Sequence, residues 1–112
     1  MKRLLLMAVL MLVCTVGFAQ TKQLPKPDLQ RKTLTVMEAF KQRRSVREYS
    51  ARMLSDQDLG DLLWAAQGVN REDGRLTSPT AMNRQEIHLY VFTAKEVSLY
   101  DPKTHSLTQV AK

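Results

Sequence analysis

The sequence predicts an α+β domain, and three patterns carry that prediction. Leu59, Leu62, Leu63 and Ala66 recur at i, i+3, i+4 and i+7, the spacing of one helix face. Residues 87–93 alternate in apolar character, as a strand does, and 98–110 hold two strand-like runs around Asp101-Pro102-Lys103-Thr104.

The chain has 112 residues. Its opening differs from the rest and has the order of an export signal. Lys2 and Arg3 form a basic start, Leu4 through Val13 an apolar run, and Gly17-Phe18-Ala19 a small-x-small cleavage site. The apolar run is about ten residues, against the roughly twenty that a bilayer-spanning helix needs, so export is favoured over a permanent membrane anchor. Cys14 follows Leu12-Val13 rather than a small residue, which makes a lipid-modified cysteine the weaker reading. The expected organisation is a signal peptide over 1–19, an extended leader over 20–33 and a domain over 34–112, with the bacterial periplasm as the destination.

Lys2 and Arg3 account for two of the six net positive charges, so the remainder carries +4. Cys14 is the one cysteine, and it lies in the signal. A disulfide scaffold or a thiolate metal site is thereby excluded for the mature part, which must be held together by burial of apolar surface.

Residues 20–32 carry Pro25 and Pro27 among polar neighbours without a hydrophobic period, so folding is expected to start near Leu34. Thr35 and Glu38 stand at capping-box spacing, and Val36, Met37 and Phe40 give the short helix that follows an apolar side. A second helix opens with Ser55 as its N-cap, has Asp56 and Asp58 in its first turn, and is expected to close at Gly68 in a left-handed cap. Trp64 beside its apolar stripe is read as a packing residue. Residues 70–75 form a polar loop. In the strand over 87–93, Ile87, Leu89 and Val91 face one way and His88, Tyr90 and Phe92 the other, which predicts an interior strand covered on both sides. His88 and His105 are read as structural or exposed.

Two segments could carry chemistry. Arg43-Arg44-Ser45-Val46-Arg47 concentrates three guanidinium groups and a hydroxyl at a helix end, a donor set suited to a phosphate. Taken alone it equally describes a solvated basic surface. The second, Ser78-Pro79-Thr80-Ala81-Met82-Asn83-Arg84-Gln85, leads into the strand and places the Asn83 and Gln85 amides where a loop meets a sheet. There they could read the polar edge of a heterocycle, although an asparagine bonding its own turn needs no ligand. Nucleic acid is disfavoured as a partner, because +4 is modest and no aromatic stacking platform lies beside the arginines.

The order helix, R-R-S-x-R, helix with L-L-W-A-A, then S-P-T-A-x-N-R-Q and an apolar strand resembles the nitroreductase family of flavoproteins over about residues 36–95. The resemblance implies a nitroreductase-like FMN-binding fold, with helices around a central β-sheet, that is incomplete at its C-terminus. It implies FMN as cofactor, with Arg43, Arg44, Ser45 and Arg47 on the phosphate and ribityl chain and with Asn83 and Gln85, which match the family's loop asparagine and glutamine, as further cofactor-binding residues. It also implies a homodimer in which a reduced nicotinamide, or another electron donor, reduces the flavin, and the flavin reduces a nitroaromatic, quinone or similar small-molecule acceptor. No catalytic side chain and no metal are expected. The chain differs from the family pattern at Glu86-Ile87, where Pro-Trp is usual after the glutamine. The alternative is a non-catalytic relative, a fragment that binds a ligand or serves an assembly.

Overall fold

The computed structural model describes residues 19–31 and 34–112, so the expected signal peptide, Ala19 apart, lies outside the described residues. Two helices, α1 (Val36–Gln42) and α2 (Asp56–Gln67), accompany a four-stranded antiparallel sheet. Its strands are β1 (Thr21–Gln23), β2 (Tyr90–Phe92), β3 (Val97–Asp101) and β4 (Ser106–Ala111), in the order β1-β4-β3-β2. The α+β class expected from the sequence is thus the class observed. Among the described residues no helix is long and apolar enough to cross a membrane.

The β3–β4 hairpin forms as expected, with Leu99 opposite Thr108 and Tyr100 opposite Leu107. Asp101 organises its turn: the carboxylate accepts from the Lys103 N–H and the Thr104 hydroxyl, each at 2.9 Å. Tyr100, only 2% exposed, forms the core with Leu24, Leu63 and Leu107, and Leu59, Leu89 and Val91 pack around it.

The strand expected over 87–93 is shorter and lies at an edge. Only Tyr90–Phe92 pair, with β3, and Phe92 is 76% exposed. Leu89 and Val91 turn toward the core as the alternation predicts, but Ile87, expected on the same face, precedes the strand and is 62% exposed. The opposite face is open, with Tyr90 as well as Phe92 exposed, and among the described residues no strand pairs with the outer edge of β2.

Both helices start where their caps predict. Thr35 and Glu38 form a complete capping box, and the Thr35 N–H, with its hydroxyl, holds the Glu38 carboxyl below its ordinary range. No residue of α1 is buried, and Phe40 is 68% exposed. Ser55 caps α2 by accepting from the Asp58 N–H. The inward face of α2 runs through Leu59, Gly60, Leu63 and Gln67, while Leu62 of the expected stripe is exposed. Gly68 ends α2 in an extended conformation, φ −74° and ψ 154°, not the left-handed cap expected. Glycine is required there for another reason: a Cβ would overlap the Trp64 ring. Trp64 itself packs half-buried and donates to the Val69 carbonyl at 3.3 Å.

The largest departure concerns the leader. Folding does not wait for Leu34, because Thr21–Gln23 add the outer strand beside β4 and Leu24, 3% exposed, enters the core. The Leu24 N–H donates to the His105 carbonyl at 3.1 Å. His105 Nε2 lies 2.8 Å from the Pro25 carbonyl, which can only accept, so Nε2 carries the hydrogen and Nδ1 accepts from the Tyr100 hydroxyl at 2.9 Å. Helix α2 grips the same segment from its other side. Gln57 donates to the Lys26 carbonyl, Asp61 accepts from the Asp28 N–H, and Arg31 pairs with Asp58 at 2.6 Å and Asp61 at 3.5 Å. Hydrogen bonds from Ser55, then the Arg31 contact, lower the Asp58 pKa; the Asp28 N–H leads in lowering that of Asp61.

Leu24→Ala is expected to cost about 2–4 kcal/mol in denaturant unfolding. Leu29→Ala, at an exposed site five residues on, should stay within about 0.5 kcal/mol. Equal effects would remove Leu24 from the core. Burial, and then the neighbouring Asp101 charge, push the Tyr100 pKa up to about 12. A raised pKa on a group that is neutral below it means that stability holds below the ordinary tyrosine value, near 10, and is lost as pH climbs from there toward 12. The tyrosinate absorbance of the protein minus that of Tyr100→Phe should therefore rise only at the top of that window.

Candidate functional site

The segment 43–47 leaves α1 directly. The Arg43 N–H closes the helix on the Phe40 carbonyl at 3.3 Å, and the Tyr49 hydroxyl donates to the Val46 carbonyl at 3.1 Å, holding the chain in a local bend. Arg43, Arg44, Ser45 and Arg47 are all exposed. Among the described residues the ion pairs are Lys22–Asp56, Arg31–Asp58, Arg31–Asp61 and Arg75–Asp73, so none occupies these three guanidinium groups. Three cations with free forks within five residues are a donor set for a dianion.

The second segment has an unusual backbone. A short 3₁₀ turn spans Ala81–Asn83, and Met82, Asn83 and Gln85 have φ of 54°, 53° and 54°. Left-handed residues without glycine are uncommon and cost free energy, and they cluster where side chains must be aimed. The Asn83 N–H donates to the Thr80 carbonyl at 3.2 Å, and the Gln85 N–H to the Thr80 hydroxyl at 3.1 Å.

The two amides then part company. Gln85 Nε2 donates to the Gly74 carbonyl at 3.2 Å and to Asn83 Oδ1 at 3.1 Å. Both its hydrogens are spent on the protein, so Gln85 ties the polar loop to the turn and keeps only an acceptor oxygen to offer. Asn83, its oxygen taken, keeps its NH₂ group without a recorded partner among the described residues. The pair therefore presents donors from Asn83 and an acceptor from Gln85, a narrower set than two free amides would give.

Asn83 lines a cleft of about 430 Å³. Its walls come from the polar loop and the turn: Arg71 and Arg75, the hydroxyl residues Ser78 and Thr80, and the apolar Leu76, Pro79 and Met82. Sequence reasoning did not single out Arg71 or Arg75. The signal available was Asp73-Gly74, a turn dipeptide that folds the loop back, with Val69 bridged to Leu76 and Gly74 at φ +77°. No residue of 43–47 lines this cleft, and among the described residues no hydrogen bond or ion pair joins 43–47 to Asn83 or Gln85. The histidines take no part: His105 is structural and His88 is exposed. Among the described residues no cluster of metal-ligating side chains occurs.

Comparison with known proteins gives a consistent result. The nitroreductase family matches over residues 40–112. A protein of Methanocaldococcus jannaschii named as a nitroreductase is 30% identical over 96 residues, 80% of this chain and 48% of that protein. A crystal structure from Ralstonia eutropha, titled as a nitroreductase, superposes with a TM-score of 0.73 at 35% identity, covering 84% of this chain and 45% of that one. The chain thus spans about half the length of these relatives.

Gln85→Ala should free the loop from the turn. The Gly74 region would lose hydrogen-exchange protection while β3 and β4 keep theirs, and the global unfolding midpoint would move by about 1 kcal/mol or less. Unchanged exchange over 70–76 would mean that this amide does not hold the loop.

Proposed function

The chain belongs to the nitroreductase family, and from that premise we propose that it is, or forms part of, an FMN-dependent oxidoreductase acting on a nitroaromatic, quinone or similar small-molecule acceptor. When bound, FMN supplies the hydride-transfer chemistry. The observation that carries the reading is that the family match spans both candidate segments, and that each presents unpaired donors of the kind such a cofactor needs.

In this reading Arg43, Arg44 and Arg47 hold the phosphate, with Ser45 adding a hydroxyl donor, and their exposure leaves them free to do so. Asn83 donates from its NH₂ group to a ring carbonyl, and Gln85 offers its oxygen while its nitrogen keeps the loop in place. The strained backbone from Met82 to Gln85 fixes those directions before any ligand arrives. A reduced nicotinamide or another donor supplies electrons, the functional unit is a homodimer, and the signal at 1–19 sends the protein to the periplasm.

A second reading is a relative that binds flavin without turnover. The departure from the family pattern at Glu86-Ile87, directly after Gln85, favours it. Flavin held without oxidation of any donor would select it over the first.

Arg43→Ala combined with Arg47→Ala tests the phosphate assignment. Two charge-assisted contacts at about 1.5–3 kcal/mol each predict that FMN affinity, followed by visible absorption, falls by at least about a hundredfold. Circular dichroism should not change, because both side chains are exposed. Unaltered flavin content would refute the placement.

A further inference from the structure

We propose that Gln67, at the end of α2, is a positioning residue for the turn that carries Asn83 and Gln85, and so sets how well those amides meet the flavin. The flavin half of this proposal rests on the oxidoreductase reading above. Among the described residues no hydrogen bond joins Gln67 to either amide, so it acts on them through the backbone.

The chain from Thr77 to Ile87 starts and ends on the last turn of α2. On the entry side, the Thr77 N–H donates to the Gly68 carbonyl at 2.9 Å and the Thr77 hydroxyl to the Trp64 carbonyl at 3.4 Å, beside the Val69–Leu76 bridge. On the exit side, Gln67 Nε2 donates to the Ile87 carbonyl at 2.6 Å. The sheet takes over only afterwards, where the Leu89 carbonyl accepts from the Tyr100 N–H at 2.9 Å. Ile87 does not anchor the exit by its side chain, which is 62% exposed. Between the two anchors lie the left-handed residues Met82, Asn83 and Gln85. A strained backbone persists only where its surroundings over-determine it, and Gln67 supplies that constraint on the exit side.

The residue type fits the task. Gln67 is 3% exposed, so its bond to the Ile87 carbonyl is shielded from competing water. Asparagine would be one methylene too short to make it. Glutamate has the same length, but when ionised it can only accept, and it would face the Ile87 carbonyl oxygen to oxygen. Protonated, it regains a donor.

The test compares the full chain with Gln67→Met and Gln67→Glu, following amide hydrogen exchange and, with FMN added, visible absorption. Gln67→Met should speed exchange of the Asn83 and Gln85 N–H groups at least about tenfold, leave β3 and β4 unchanged, and weaken FMN by a similar factor. Gln67→Glu should match Gln67→Met at about pH 8 and recover toward the parent at about pH 5, because burial raises a carboxyl pKa and the protonated form donates. Arg84, His88, Asp101 and Lys103 line the cleft beside Gln67 and are common to parent and variants, so the recovery is read against the parent at each pH. A residue that only supports the fold would show no such recovery. Should Gln67→Met fail to fold, Gln67→Glu compared at the two pH values carries the test. Unchanged exchange at Asn83 and Gln85, losses spread evenly over the sheet, or a Gln67→Glu effect indifferent to pH would each overturn the proposal. If the parent itself binds no FMN, the oxidoreductase reading falls, and the exchange measurements still decide the role of Gln67.

Discussion

One imidazole joins the parts of this fold that are distant in sequence. His105 sits at φ 51° in the β3–β4 turn, accepts from Tyr100 on one side and donates to Pro25 on the other. Beneath it, Leu24, Leu63, Tyr100 and Leu107 make the buried cluster. Leu24 follows β1, and Leu63, Tyr100 and Leu107 come from α2, β3 and β4, so the cluster joins segments far apart in the sequence. The hydrogen bonds add direction to a core whose apolar contacts alone would be too few to fix one arrangement.

That arrangement explains what the sequence could and could not reveal. The caps of both helices and the hairpin were legible because Thr35 with Glu38, Ser55, and Asp101-Pro102 act on their immediate neighbours. The outer strand was not, since Thr21-Lys22-Gln23 has no apolar alternation and owes its conformation to a partner more than eighty residues away. Leu24 and Leu29 are the two leucines of an otherwise polar leader, and only the fold shows that Leu24 is taken into the core and Leu29 is not. Gly68 was identified as the helix end by residue type, while its physical cause, the Trp64 ring, is a packing fact.

The alternation was read correctly over residues 89–92 but not at Ile87, which is 62% exposed and precedes the strand, and its context was not read correctly either. Leu89 and Val91 face the core as the period requires, whereas Tyr90 and Phe92 face outward at an edge. Alternation reports which side chains share a face and is silent about whether another layer packs on the other one or whether a neighbouring strand pairs at the edge. The same limit applies to α1, whose apolar Val36, Met37 and Phe40 gave it a period without any surface to bury them on. Of the candidate site, the arginines of 43–47 and the Asn83 turn were visible as residue types, while Arg71 and Arg75 became visible only once the loop had folded back.

The division of labour between Asn83 and Gln85 shows why such a site needs structure to be understood. As residue types they are the same amide on stems of different length. The longer stem of Gln85 lets its nitrogen reach Gly74 across the loop while still touching Asn83, so it becomes a brace. The shorter Asn83, held at φ 53° by the brace and by Thr80, cannot turn back to satisfy its own NH₂ group on those partners. A left-handed residue pinned between two hydrogen bonds keeps its donors pointed outward at a cost already met in folding. A ligand that accepts from them need not organise the turn, and that preorganisation is what lets a small number of polar contacts yield useful affinity.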